Sequence, residues 1–159
     1  MYRYLLLCAL LLAGCGKSQK PASESATTGT EPGAAAVISL ADVAGTWDSD
    51  VMAATSDTVL TITELTATAE PTGWTMTVAN VKTPDKKTPA PVTSVVAAGD
   101  SLVVDAGPYA SVLRAGQQVT TRGVYRLQDG KLVGTVVATY PASGQALTLH
   151  TEATRRAPK

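Results

Sequence analysis

The tightest constraint on this chain is the dipeptide Asp129-Gly130, set between two runs of alternating side chains. Asp-Gly suits a two-residue type I′ hairpin turn, whose central residues both take positive φ. Such a loop pairs Gln128 with Lys131 and sets the rest of the register outward. Leu127 then faces Leu132, Tyr125 faces Gly134, Gly123 faces Val136 and Val119 faces Tyr140. The other face carries Gln128, Lys131, Arg126, Arg122, Thr135 and Thr139, with Val124, Val133 and Val137 among them. Turn geometry and period-two alternation agree, and that agreement specifies a register. Residues 118–128 and 131–140 read as an antiparallel pair with one face packed and one wet.

The same pattern recurs along the chain. Residues 45–52, 58–67, 74–82, 92–98, 101–106 and 145–153 read as further strands. Pro71-Thr72-Gly73, Gly99-Asp100 and Ser143-Gly144 supply turns between them. Thr and Val, abundant here, favour strands. The exception is a short helical turn at Ile38 to Val43. Ser39 is its cap, Asp42 completes a capping box, Ile38 and Val43 form a hydrophobic staple, and Gly45 can close it. The expected fold class is all-β: an antiparallel up-and-down meander of about eight strands closed into a barrel, which removes exposed edges. A two-sheet β-sandwich is the alternative. Residues 81–91, VKTPDKKTPAP, are expected to be a solvated connection stiffened by Pro84, Pro89 and Pro91. Its lysines Lys82, Lys86 and Lys87 offer a lip for an anionic partner as the functional counterpart.

The short turn followed by Gly45-Thr46-Trp47 and a run of hairpins resembles the lipocalin-like (calycin) barrels. The resemblance implies that Trp47 closes the barrel floor. It also implies that a basic residue after the last strand, Arg155 or Arg156, stacks on that ring by a cation–π contact.

The N-terminus carries a different signal. One positive charge, Arg3, precedes the apolar run LLLCALLL, which is too short to cross about 30 Å of hydrocarbon. It fits the h-region of a signal peptide. Leu12-Ala13-Gly14-Cys15 resembles the lipobox of bacterial lipoproteins. That resemblance implies a diacylglycerol thioether on Cys15, cleavage after Gly14 and acylation of the new N-terminus. Two or more chains anchor stably where one does not. Gly16, rather than Asp, follows the cysteine, which by analogy with enteric bacteria favours the periplasmic face of the outer membrane. Residues 16–37 are rich in Gly, Ser, Thr, Pro and Ala without apolar periodicity, and should be a disordered spacer of roughly 25 Å. The expected organisation is a signal peptide at 1–14, a lipidated cysteine and linker at 15–37, a barrel at 38–154 and a tail at 155–159.

Function is bounded mostly by exclusion. Thirteen basic and thirteen acidic residues balance, so there is no electrostatic footprint for nucleic acid. Cys8 and Cys15 both lie in the leader region, so no disulfide, zinc or redox motif falls in the barrel. His150 is the one histidine and is expected on the exposed face beside Glu152. Asp48 and Asp50, with Asp57 just beyond, could suggest Ca²⁺, but such a site needs six or more oxygens, and both point to water if Trp47, Ser49 and Val51 point inward. No catalytic set is readable and no cofactor or metal is expected. The inward set is expected to comprise Trp47, Leu60, Ile62, Trp74, Met76, Leu102, Val104, Tyr125, Leu127, Leu132, Leu147 and Leu149. These residues would either fill the barrel or line a pocket for a small apolar ligand. The expected role is therefore a non-enzymatic, membrane-anchored envelope lipoprotein that binds a small apolar ligand or an envelope partner. The alternative is a structural or accessory lipoprotein with a solid barrel that docks another envelope protein through its outer surface. Val124, Val133 and Val137 mark the face where an exposed apolar patch would favour docking.

Overall fold

The computed structural model describes residues 37–157. The signal peptide, Cys15 and almost all of the spacer lie outside the described residues, as does the end of the tail. The chain opens with α1 (Leu40–Val43), followed by nine strands. These are β1 (Gly45–Ala53), β2 (Val59–Ala67), β3 (Thr75–Asn80), β4 (Thr88–Ala90), β5 (Val92–Ala98), β6 (Ser101–Ala110), β7 (Gln118–Gln128), β8 (Lys131–Tyr140) and β9 (Gln145–Arg155). All pair antiparallel in one sheet of order β4-β3-β2-β1-β9-β8-β7-β6-β5. The first strand thus pairs with the last, and the sheet curls into a nearly closed barrel rather than a sandwich.

The hairpin at Asp129-Gly130 forms with the expected register, from Gln128–Lys131 to Thr120–Thr139. Asp129 and Gly130 take φ values of 50° and 77°, as a type I′ turn requires. Ser39 and Asp42 form the capping box, and Ile38 and Val43 are buried.

Four segments depart from expectation, the first being β3, which stops at Asn80 rather than Lys82. Residues 81–91 do not all form a loop: Thr88–Ala90 pairs with β3, and Pro91 then breaks this strand from β5. Nine strands arise where eight are expected, because proline cannot donate to a ladder and splits one run in two. β6 continues to Ala110 rather than stopping at Ala106, since a bulge between Ala106 and Tyr109 absorbs Gly107 and Pro108. Gly107 takes φ 111°, and a Cβ there would lie 2.8 Å from the Val119 carbonyl oxygen. β9 extends to Arg155, two residues beyond its expected end.

The connections alternate between two ends. α1, residues 68–74, the Gly99-Asp100 turn, the Asp129-Gly130 turn and the end of β9 form the floor. Residues 54–58, 81–87, 111–117 and 141–144 form the mouth.

Candidate functional site

Trp47 anchors the floor. It is fully buried, and its indole N–H donates to the Val43 carbonyl at 2.8 Å. The Arg155 guanidinium lies over the ring, 4.5 Å from its centroid, and donates to the Ala44 carbonyl. The residue after it, Arg156, turns outward and binds both Asp48 and Glu64. Asp48 and Glu64 are direct cross-strand neighbours, so their repulsion calls for a shared cation. Hydrogen bonds from Arg156 and then Lys87 hold the Glu64 carboxyl below its ordinary range. These groups are exposed enough that each pair contributes little on its own.

Above the floor, the interior is nearly full. A void of about 60 Å³ remains in the upper half. Met76, Tyr125, Leu132 and Leu149, all expected inward, line it. Trp47, Trp74, Leu102 and Val104 belong instead to the packed core. Leu60 packs against Val51, Val136 and Leu149 because a bulge in the β1–β2 pairing leaves it as an extra residue. Leu147 is partly buried against the core.

Two expected inward residues are misplaced. Ile62 pairs with exposed Asp50 and with Ala79, in the opposite phase from Thr61, Thr63 and Leu65, which line the void. Its phase is shared with Glu64, the charged residue that marks the outer face. Leu127 has the inward phase but is 37% exposed, although Leu132 directly opposite it is fully buried.

Hydroxyls that hydrophobicity cannot flag also line the void. Ser49 and Thr151 are buried and hydrogen-bonded to each other at 2.6 Å. Tyr109 is buried beside Thr121, and burial raises its phenol above the usual value. Burial, with Tyr109 nearby, pushes Tyr125 up to about 12. The Tyr125 ring folds back over Gly123, where a Cβ would lie only 2.4 Å from the ring edge. At Gly134, opposite Tyr125, a Cβ would lie 2.0 Å from the Val124 carbonyl oxygen. These two glycines make room for the tyrosine and let β7 and β8 close tightly.

The mouth is narrowed from one side. The 111–117 loop folds in so that Val112 and Leu113 line the void. The Ser111 hydroxyl accepts from the Leu113 and Arg114 backbone N–H groups, and Asn80 donates to the Val112 carbonyl at 3.0 Å. The Arg114 guanidinium lies 4.1 Å from the Tyr140 ring centroid and donates to Gln145 at 2.6 Å.

The outer face is different. A depression of about 440 Å³ lies across β1, β9, β8 and β7, lined by Met52, His150, Thr135, Val124, Val133, Arg126, Gln128 and Glu152 among others. Register aligns Met52, His150, Thr135, Val124, Val103 and Val96 in one row across six strands. Val124 is 41% exposed, Val137 36% and Val96 50%. His150 is exposed, as expected. Lys131 and Glu152 pair at 2.6 Å on this face, and Arg126 pairs with Asp100 at 2.9 Å beside the floor turn. Among the described residues, no group of three or more His, Cys, Asp or Glu is placed to hold a metal ion. No protein-family profile, curated protein or solved structure matches the chain.

Proposed function

We propose that this is a lipid-anchored envelope protein, tethered through Cys15, whose barrel docks another envelope protein through the outer face of β7, β8 and β9. One observation carries the docking reading: the interior void is about 60 Å³ and the outer depression about 440 Å³. Small-molecule sites usually occupy about 300–1,000 Å³. An interior closed at the floor by Trp47 and narrowed at the mouth by the 111–117 loop suits a scaffold better than a carrier. The half-exposed valines of the outer row are the type of patch that marks an interaction surface. The lipobox resemblance supports the anchor, and Gly16 supports the periplasmic face of the outer membrane. The role is non-enzymatic and needs no cofactor.

A second reading, retention of a small ligand in the void, is favoured by the hydroxyls of Ser49, Thr61, Thr121 and Thr151, which offer hydrogen bonds beside an apolar wall.

The test is photo-crosslinking in the intact cell from a probe placed at Val124, with a second probe at Asp57 in the mouth. Docking predicts one discrete adduct from Val124, lost on Val133→Lys, and none from Asp57. Equal adducts from both positions, or none from either, would refute the docking face. Cys15→Ser should release the protein from the membrane fraction or leave it unprocessed. Processed protein that stays in the membrane would refute the anchor.

A further inference from the structure

The two ends of the sheet are protected to different degrees. β4 is three residues long, contains Pro89 and is followed by Pro91. Brevity and proline are standard ways to blunt an edge. β5 has neither. Its sequence, VTSVVAA, is seven residues without a charge or a proline, and three of the seven are valine. Among the described residues, β5 pairs only with β6. A bulge between Val92 and Ser94 disturbs only its upper end. Ala97 shares the inward phase of buried Val95 yet is exposed, so the lower half of this edge is uncovered. Val96, at 50% the most exposed member of the outer valine row, stands at this edge.

We propose that β5 adds antiparallel to β5 of a second copy of this chain, so that two barrels share one sheet across a two-fold axis. The strand is its own complement, as an isologous contact requires. With the axis at Val95, Val96 opposes Ser94 of the second copy, and Ala97 opposes Thr93. β5 carries no charged residue, and Asp100 lies in the turn that leads away into β6, so no like charges meet across the axis. The added strand supplies the backbone partners that β5 lacks, and each copy's strand covers the edge beside the other's Val96. This surface is the strand edge rather than the outer face of β7–β9, so it stands or falls independently of the docking reading.

The experiment is sedimentation velocity on the full chain in detergent over a range of concentrations, with hydrogen exchange read in parallel. Wild type should sediment as two chains, with β5 amides gaining protection as the dimer forms. Val96→Lys sets two like charges beside the axis. It should sediment as one chain, keep the unfolding midpoint that wild type shows when diluted to a single chain, and leave β5 amides in fast exchange. The proposal is overturned by a wild-type protein that stays a single chain at all concentrations. It is also overturned by β5 amides equally protected in the single chain, which would mean that the chain's own preceding segment covers the edge. A dimer that survives Val96→Lys, or one whose β5 amides exchange fast, would place the interface elsewhere and overturn it too.

Discussion

β7 and β8 present two faces made of similar residues to opposite ends. On the inner face, Tyr125 lies over Gly123, and Val136, Leu132 and Ala138 pack beneath and around it. On the outer face, Val124 and Val137 are exposed, with Val133 half-buried between them. Valine alone therefore does not say which way a strand faces. Its neighbours in phase do: glycine and tyrosine inside, arginine, glutamine and lysine outside. The inner face stabilises the fold, and the outer face contributes little to it. Substitutions inside should therefore lower stability, and those outside should leave it intact.

The largest effect is expected at the floor. Trp47→Ala removes a fully buried aromatic and should cost about 3–5 kcal/mol. Against a total of about 5–15 kcal/mol, that moves the denaturant midpoint far down. Parental stability would mean that the indole, its bond to Val43 and the Arg155 stack are not what closes this end. Next is Gly134→Ala, whose Cβ would meet backbone rather than a movable side chain. Overpacking of this kind costs about 1–3 kcal/mol, and the upper end is expected here. Ser49→Ala orphans the buried Thr151 hydroxyl and should cost about 1–3 kcal/mol by the same assay.

A pH prediction sharpens the contrast from inside. Tyr125 ionises near its ordinary value of 10.0 when the chain is unfolded, but at about 12 when folded. Its protonated phenol therefore contributes stability below pH 10, and that contribution is lost as pH rises through 12. Unfolding midpoints measured from pH 9 upward should fall, and Tyr125→Phe should flatten the fall. The smallest effect belongs outside. Val124→Ala and His150→Ala should each lie within about 0.5 kcal/mol of the parent, because neither packs on the core.

Much of the barrel was legible because hairpin geometry and alternation agreed where they could be compared. The β7–β8 register followed from one dipeptide. The floor followed from Gly45-Thr46-Trp47 and the arginines after β9. In β2 the logic failed, since Leu60 and Ile62 are more hydrophobic than Thr61 and Thr63, and hydrophobicity pointed to the wrong phase. Glu64 and Leu65 carried the correct one, and the bulge that returns Leu60 to the interior has no sequence mark. β4 was hidden because two prolines in four residues read as loop, although a short edge strand tolerates them. The lining hydroxyls were missed for a similar reason. Ser and Thr look like surface residues until cross-strand pairing, such as Ser49 with Thr151, supplies their partners.

The central claim is that this barrel is a filled scaffold that works through its surface. Native mass spectrometry of the full chain, extracted gently from its own membrane, tests it most directly. The expected result is the mass of the lipidated chain, alone or with further protein, and no small-molecule adduct. A retained small molecule that disappears in Leu132→Trp, a change that fills the void, would contradict it.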